Sequence, residues 1–548
     1  MTWFFLDGDH EIEWAIENDV FHPAALAFIL LPFIYLIGSW ALAARRPKNY
    51  PPGPPAILGL GNILQVPPEK SFLKFTEWKQ TYGDMVGLKM GGQNLVVLQT
   101  AELVRELIEK RGAIYSDRPT PYIPSQIINP GTVIFQPNDH TIKKTRTAMQ
   151  YMFRPAELKR VFAVQTAQSA ILMCKILDDP AEFRTHMKYW ALATPLSILC
   201  GRKIQEEGPS STEEYFGTQA RWLRFLKPAQ APPVDLFPFM KHLPDFLAKW
   251  RKEALVLRKD MWKMIYYMLD GAKLQHGTIT KGLRSHDNES VMSRIIMEAE
   301  TNEDMRMGDH ELAVFGGGTL DAAVDTVIAT TSSVVMAFAA FPEVQKRVQA
   351  EVDSIWEDSP PTEERLPEAK FLKAVMMEAM RWRGAAPQAV PRVLARDDTY
   401  RGYNFTKGTV FIMNVWAIHR DEKWYENPEE FNPDRYMDNQ WGVRPEMKTA
   451  AEKENRRPTY NFGAGRRMCP GLDYADNQVL IVLAKLAWDF NVVAKKPLDL
   501  DINTGFHSNL VLEPNSFDVD FVARGDFKRG KIVEDGEKAK EVVSAWVE

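Results

Sequence analysis

The chain has 548 residues, of which 45% are hydrophobic and 25% charged, a composition that excludes a disordered chain, a collagen-like repeat and a multi-span transporter. Lys and Arg number 67 against 72 Asp and Glu, so the net charge of −5 argues against general nucleic-acid binding. The three cysteines, Cys174, Cys200 and Cys469, are too widely separated for a disulfide framework or a Cys-x-x-Cys zinc site, and they favour a reducing compartment.

An uncharged segment near the amino terminus predicts a membrane anchor. Residues 23–44 contain no charged side chain, and about 20 apolar residues are enough to cross a bilayer. Acids precede this segment, whereas Arg45, Arg46 and Lys48 follow it at once. Because positive charge stays on the cytoplasmic side, we expect a luminal N-terminus over 1–22 and a retained single-pass anchor. The alternative is a buried helix of the soluble body.

The segment after the anchor predicts a spacer between the membrane and a catalytic body. The run Pro-Pro-Gly-Pro-Pro at 51–55 cannot be helical and favours an extended, semi-rigid conformation. We therefore predict a basic and Pro-rich hinge over 45–55 and a catalytic domain over 56–527 on the cytosolic side. A charged tail over 528–548 shows no clear core pattern, and we assign it no function.

A long helix with one acid in its apolar part is predicted from Asp309 to Phe341. The stretch has no proline, and a helix of that length would run about 50 Å, enough to cross a domain. From Ala322 onward its one charged residue is Asp325, which Thr326 follows. A lone carboxylate in an apolar helix is costly unless it is paired or used, so this acid–alcohol pair is a catalytic candidate. The alternative is a core helix whose hydroxyls bond back to the preceding turn.

Two further patterns involve arginines. Glu378 and Arg381 lie three residues apart and share a helix face, but such pairs are mostly solvated, so the signal alone is weak. Arg435 offers a second guanidinium that can hold a carboxylate.

One cysteine stands in a glycine-rich, cationic loop near the carboxyl end, Phe462-Gly463-Ala464-Gly465-Arg466-Arg467-Met468-Cys469-Pro470-Gly471. A dinucleotide fingerprint is excluded because Met468 occupies the sixth position and no acid stands where the ribose partner belongs. Gly465 and Gly471 allow close backbone approach, and Arg466 and Arg467 are expected to favour the thiolate. A single-thiolate iron ligand fits this pattern.

This loop resembles the haem-binding loop of the cytochrome P450 family, Phe-x-x-Gly-x-Arg-x-Cys-x-Gly, at every fixed position. The Pro-rich hinge, the acid–alcohol pair, the Glu-x-x-Arg pair and the Arg435 segment precede it in the family's order. The resemblance runs from Tyr50 to about Phe527 and is greatest to membrane-anchored fungal enzymes of specialised metabolism. It implies a mainly α fold with a small β portion, the cytochrome P450 fold, preceded by one N-terminal transmembrane helix.

The resemblance also implies roles for individual residues. Cys469 is the axial ligand of the iron of haem b, where a thiolate favours cleavage of the O–O bond. Asp325 and Thr326 relay protons to dioxygen. The remaining assignments are a structural triad of Glu378, Arg381 and Arg435, propionate partners at Arg467, Arg392 and Arg146, and cofactor-loop positions at Phe462, Gly465 and Gly471.

Three positions depart from the family's pattern. Ile142 stands where a propionate-binding Trp is usual, four residues before Arg146. Ala323 replaces a glycine before the acid–alcohol pair, and Val327 replaces a frequent hydroxyl after it. We therefore expect a tighter or less polar oxygen groove.

The activity implied is that of a haem-thiolate monooxygenase of a fungal secondary-metabolite pathway, which inserts oxygen from O2 into a lipophilic small molecule. It would lie in the endoplasmic reticulum membrane with its catalytic domain cytosolic. Electrons would come from NADPH through a separate NADPH–cytochrome P450 reductase, with cytochrome b5 as a second donor, because the chain has no flavin or nicotinamide motif. Uncharged loops at 119–136 and 384–391 suggest a lipophilic pocket, with ordinary loop packing as the alternative. The substrate candidates are Ile123, Ile127 and Ala389.

Two rival functions remain at this point. The first is an isomerase, dehydratase or peroxygenase on the same scaffold, against which the Asp325–Thr326 pair argues. The second is a non-enzymatic membrane haem protein that stores or senses a ligand, for which the complete set of relay and triad residues would be an unnecessary coincidence.

Overall fold

The computed structural model describes residues 44–138, 140–227, 230–508 and 510–547, together with residues 31, 38 and 42. The predicted luminal N-terminus and nearly all of the predicted anchor lie outside the described residues. The expectation of a mainly helical body with a small β portion is confirmed. The helices are α1 (Ser71–Tyr82), α2 (Ala101–Leu103), α3 (His140–Met152), α4 (Pro155–Asp178), α5 (Phe183–Cys200), α6 (Thr212–Leu226), α7 (Lys249–Thr280), α8 (Val291–Glu298), α9 (Asp309–Ala340), α10 (Pro342–Trp356), α11 (Lys370–Arg383), α12 (Val415–Ile418), α13 (Lys448–Lys453), α14 (Leu472–Asp489) and α15 (Asp526–Trp546).

The strands form one four-stranded sheet and three two-stranded ones within the described residues. They are β1 (Met85–Met90), β2 (Gln93–Leu98), β3 (Arg392–Val393), β4 (Asp398–Tyr400), β5 (Tyr403–Phe405), β6 (Val410–Met413), β7 (Phe490–Ala494), β8 (Phe506–Ser508), β9 (Leu512–Pro514) and β10 (Val519–Ala523). The larger sheet has the order β1-β2-β6-β3, in which only the β2–β6 pair is parallel. The pairs β7–β10, β4–β5 and β8–β9 are antiparallel.

Helix α9 is the axis of the helical body. It runs 32 residues, or about 48 Å, and packs against α5, α7, α11 and α14. The carboxylate of Glu311 accepts the backbone N–H of Gly308 and caps its start. A Cβ at Gly317 would overlap Ile265 of α7, so glycine lets these two helices approach closely. Pro342 then begins α10 and ends the predicted long helix at its expected place.

The Pro-rich segment belongs to the folded body and is not a spacer, which corrects the predicted domain boundary at residue 56. The N–H of Gly87 in β1 donates to the carbonyl of Pro52 at 2.8 Å. The Tyr50 hydroxyl donates to the carbonyl of Leu95 at 2.9 Å. Arg46 also donates to the carbonyl of Gly87. Composition predicted the extended conformation, but it carried no information on which strand the extended segment would meet.

The predicted charged tail is helix α15, which begins two residues before the expected boundary of the tail and packs along α4. Its buried residues, Ile532, Gly536, Ala539 and Trp546, form a narrow stripe. Lys485 of α14 pairs with Asp535 at 2.6 Å. Because the stripe is narrow and two of its four residues are small, the segment resembled a solvated tail by composition, although it packs on the helical body.

Two described helices are long and apolar enough to cross a membrane, α4 and α9. More than half of the apolar window of each is buried against other parts of the protein. Both are therefore core helices of the folded body.

We expect Gly536→Ala to destabilise the protein. An added methyl group would overlap the sulfur of Cys174 on α4, and overpacking of this kind costs about 1–3 kcal/mol. Gly530→Ala is the matched control, because its position in α15 is exposed with no atom within 4 Å. There the better helix propensity of alanine should add about 0.5–1 kcal/mol. Thermal unfolding midpoints that move the same way in both variants would contradict this packing.

Candidate active site

The loop that carries Cys469 is closed by its own backbone and seated on the chain around α2. The N–H of Cys469 donates to the carbonyl of Phe462 at 2.9 Å. Gly463 and Gly465 have φ values of 72° and 62°, a region that favours glycine. A Cβ on Gly465 would overlap the carbonyl oxygen of Ile108, so no larger residue fits there. The loop therefore holds one thiol in a fixed backbone frame.

The expectation that Arg466 and Arg467 favour the thiolate is wrong. Burial raises the pKa of Cys469, the backbone N–H of Gly471 lowers it, and the charge of Asp476 raises it again. The side chain of Arg466 is exposed, and that of Arg467 donates to backbone carbonyls. The protein alone thus favours the neutral thiol, and a bound metal ion would have to favour the thiolate.

Arg392 is buried at the base of this loop with much of its hydrogen-bonding capacity unused. Its Nη2 donates to the carbonyl of Ala464, within the loop, at 2.9 Å. Its Nε and Nη1 have no hydrogen-bond partner among the described residues. Burial, together with the nearby charges of Arg467 and Arg146, lowers the pKa of Arg392 to about 9. A buried guanidinium with unpaired N–H groups destabilises the fold unless an anion binds beside it.

Arg118, Arg146, Arg392 and Arg467, here called the four-arginine cluster, lie close enough to repel one another. Burial lowers the pKa of Arg118, and the positive charges of Arg392 and Arg467 lower it as well. Four hydrogen bonds hold two members of the cluster. Arg118 donates to the carbonyls of Val390 and Pro391, both at 2.7 Å, and Arg467 donates to those of Ser116 at 3.0 Å and Gln136 at 2.9 Å. Sequence reasoning missed Arg118.

The four-arginine cluster fits the cofactor that the sequence implied. Haem b carries two carboxylates, and guanidiniums bind carboxylates well because their N–H groups form a matching fork. The unpaired Nε and Nη1 of Arg392 are the donors that such an anion would satisfy. Ile142 is buried one turn before Arg146, so α3 offers an apolar contact where the family has an indole N–H.

Thr326 lies on a face of α9 that the protein does not fully cover. Its hydroxyl donates to the carbonyl of Ala322 at 2.8 Å, the back-bonding expected of a core helix. Ala322 is exposed and Thr326 half-buried, although most of α9 from Val327 onward is buried. The donated proton leaves the oxygen of Thr326 free to accept a hydrogen bond on the uncovered side.

Asp325 lines a polar cavity of about 260 Å³ on a neighbouring side of α9. Burial, together with the charge of Glu513, raises the pKa of Asp325 to about 6, although the charge of Lys188 opposes this shift. One turn earlier Asp321 accepts the Tyr215 hydroxyl at 3.2 Å and the amide of Gln219. Burial and Asp325 raise the pKa of Asp321 to about 7. Sequence reasoning missed Asp321 because it stands just before the uncharged run.

The predicted triad is assembled and buried. Arg381 pairs with both oxygens of Glu378, at 2.7 and 2.8 Å. Arg435 Nε lies 3.4 Å from Glu378 Oε1. Burial lowers the pKa of Arg381, but the charge of Glu378 raises it above its ordinary value overall. Because Arg381 also donates to the carbonyls of Pro428 and Glu430, the triad joins α11 to the loop that follows α12.

The substrate candidates are not brought together by the described structure. Ile123 is buried and Ile127 half-buried in a cluster with Trp222 and Phe225 of α6. Ala389 belongs to a separate cluster around the larger sheet. None of these three lines the cavity beside Asp325, and their contact with substrate stays a prediction.

A helical body with one thiol in a rigid loop beside buried arginines defines a haem-thiolate protein. The chain matches the family model described as Cytochrome P450 over residues 51–521. Its relatives include cytochrome P450 monooxygenase grgG of a Penicillium species, 34% identical with 91% of this chain and 92% of the relative covered. Another, from Arthrobotrys oligospora, is 31% identical with 92% and 95% covered. Cytochrome P450 monooxygenase patH of Aspergillus clavatus is 29% identical with 96% and 99% covered. The chain belongs to the cytochrome P450 family and is a cytochrome P450 monooxygenase.

We expect Cys469→Ser to abolish the thiolate-type Soret band of the reduced, carbon monoxide-bound protein, because a hydroxyl is a much weaker ligand for iron. Cys200→Ser is the control. Cys200 donates to the Leu196 carbonyl within α5, a bond that serine can also make. The difference spectra of both variants and the wild type give the answer, and a band that survives in Cys469→Ser would contradict the assignment.

Proposed function

We propose that this monooxygenase oxidises a lipophilic small molecule in a fungal secondary-metabolite pathway, with Asp325 and Thr326 delivering the protons that O2 reduction consumes. The observation that carries the proposal is the arrangement on one turn of α9, where a titratable acid faces a polar cavity and the adjacent hydroxyl faces an uncovered side. The relatives named above are fungal monooxygenases, which supports the pathway class. The isomerase, dehydratase, peroxygenase and non-enzymatic alternatives are not favoured.

Haem b is the proposed cofactor. Cys469 would bind its iron, and Arg392 with the rest of the four-arginine cluster would bind its carboxylates. When bound, the haem supplies O2 activation, helped by electron density from the thiolate. The glycine at 465 keeps the loop backbone close to Ile108, so the thiol has little freedom to move away from the iron.

Proton delivery is the part of the reaction that this chain's own groups perform. A pKa of about 6 allows Asp325 to accept a proton from solvent and release it near neutral pH, where a transferring group is most effective. Thr326 would accept a hydrogen bond on the uncovered side of α9 and so hold a proton-bearing water in place.

Electrons are proposed to come from NADPH through a separate NADPH–cytochrome P450 reductase, with cytochrome b5 as a second donor. Such a partner is a general requirement of the family. Lipophilic substrates are proposed from the uncharged loops at 119–136 and 384–391, and Ile123, Ile127 and Ala389 remain the proposed contacts on those loops.

The proposed location is the endoplasmic reticulum membrane, with a single-pass anchor over 23–44, a luminal N-terminus and a cytosolic body.

Two neighbouring described segments expose large apolar side chains, and we propose that they also contact the bilayer. The segments are neighbours because Leu236 and Ile63 both lie beside Gly91. Their exposed residues are Leu58, Leu64, Phe239, Phe246 and Leu247.

We expect a chain that begins at Ala44 to bind phosphatidylcholine vesicles, and Phe246→Ser with Leu247→Ser to weaken that binding at least tenfold. Each side chain gains about 1.5–3 kcal/mol when it leaves water. Leu283→Ser, which removes an equally exposed leucine outside these segments, is the control. Vesicle co-sedimentation measures the effect, and equal binding by all three proteins would exclude the proposed contact.

We expect Asp325→Asn to slow NADPH-driven O2 consumption in the presence of the reductase by on the order of 10²-fold, because proton transfer loses its titratable group. The protonated fraction of Asp325 grows as the pH falls through about 6, so the wild-type rate should rise from pH 8 to pH 6. The variant should lack this rise.

Thr326→Ala should instead increase the share of O2 released as hydrogen peroxide.

Asp321→Asn is the matched control for the Asp325 experiment. It removes a carboxylate one turn away while an amide can still accept the Tyr215 hydroxyl. Its O2 consumption should stay within about twofold of the wild type. If Asp325→Asn behaves like this control, the proposed proton delivery is wrong.

A further inference from the structure

The cavity beside Asp325 connects the central helix with the hairpin of β8 and β9. At about 260 Å³ it has room for several water molecules, each of which needs about 30 Å³. Leu223 and Ile328 contribute apolar surface, but most of its lining is polar or charged. The charged and titratable residues in the lining are Lys188 of α5, Arg224 of α6, Lys227 just after it, Asp325 of α9, and His507 and Glu513 of the hairpin.

Glu513 is the residue of the hairpin whose charge acts on Asp325. One of its oxygens is 3.1 Å from Nη2 of Arg184. The other lies 3.8 Å from Nε2 of His507, whose Nδ1 is 3.0 Å from the amide oxygen of Asn515. The His507 side chain is 39% exposed and is therefore accessible to solvent. The hairpin thus holds an imidazole at the surface and a carboxylate behind it, both facing the cavity.

Other groups around Asp325 are less suited to carry protons. Lys188 lies over the Phe216 ring at 5.3 Å and contributes a positive charge that lowers the pKa of Asp325. Asp321 accepts hydrogen bonds from Tyr215 and Gln219 of α6 and does not line this cavity. Arg224 pairs with Glu253 at the surface.

We propose that His507 and Glu513 form the solvent end of the proton route whose inner end is Asp325, and that they are positioning residues for the monooxygenase reaction. A proton from solvent would pass from His507 to Glu513, through cavity water to Asp325, and on toward Thr326. Each group returns to its starting state, so the route supplies the two protons that accompany two electrons from NADPH when one oxygen atom of O2 becomes water. The inference rests on the role proposed for Asp325.

The test compares Glu513→Gln and His507→Gln with the wild type as haem-loaded full chains, with NADPH and the reductase. We expect O2 consumption to fall about tenfold in each variant and the solvent deuterium isotope effect to rise, because proton uptake becomes limiting. Asp518→Asn is the control, since Asp518 is an exposed carboxylate paired with Lys496 outside the cavity. The reduced carbon monoxide spectrum verifies that each variant is folded and loaded.

A second readout does not depend on turnover. Infrared difference spectra of the oxidised protein, without NADPH, report the protonated carboxyl of Asp325, a band that Asp325→Asn must lack. In the wild type this band should grow as the pH falls through about 6. In Glu513→Gln the midpoint should move to lower pH, because the neighbouring negative charge that raises the pKa is gone.

The outcomes separate this inference from the proposed function. If Asp325→Asn slows O2 consumption but Glu513→Gln and His507→Gln do not, the hairpin route is overturned and the role of Asp325 stands. If the infrared midpoint is the same in Glu513→Gln and the wild type, residue 513 does not act on Asp325 and the inference fails. If Asp325→Asn itself has no effect, the proposed function fails first.

Discussion

The positive charge gathered behind the cysteine loop is the constraint on which the site depends. Arg392 is buried with two of its nitrogens lacking partners among the described residues. The positive charges of Arg118, Arg146 and Arg467 increase the free-energy cost of keeping its guanidinium charged there. Folding alone does not recover that cost, whereas a bound dianion does. The same guanidiniums donate to backbone carbonyls of three separate segments of the chain, so they also hold the cysteine loop against the sheet. We therefore expect cofactor binding to stabilise this region.

Helix α9 divides the chemistry of the site between two of its sides. Asp325 faces a cavity lined by charged side chains, while Thr326, one residue on, faces the uncovered side. A rotation of about 100° per residue along a helix is enough to separate the two environments. Close packing against α7 at Gly317 fixes the helix in that orientation, which keeps the acid in the polar cavity.

The parts of the site that sequence predicted are those whose chemistry is local. The cysteine loop and the Glu378–Arg381 pair are determined by spacing along a few residues, and both are formed as expected. Arg118 could not be found this way, because the carbonyls it binds lie about 270 residues further on. The burial that raises the pKa of Cys469 also depends on distant parts of the chain. The adjacent arginines therefore predicted a shift of this pKa in the opposite direction.

The fold was likewise predictable where one periodic or uncharged run determines an element, as in α9. It was not predictable where contacts with distant parts of the chain determine how a segment packs. Helix α15 shows a consequence of this for synthesis. Its last turn is held by Gln275, whose amide donates to the carbonyl of Trp546. The partners of α15 on α4 are made hundreds of residues earlier and stay without it until α15 has been synthesised. A ribosome that stalls before Asp526 therefore holds a chain with the cysteine loop complete and this face of α4 uncovered.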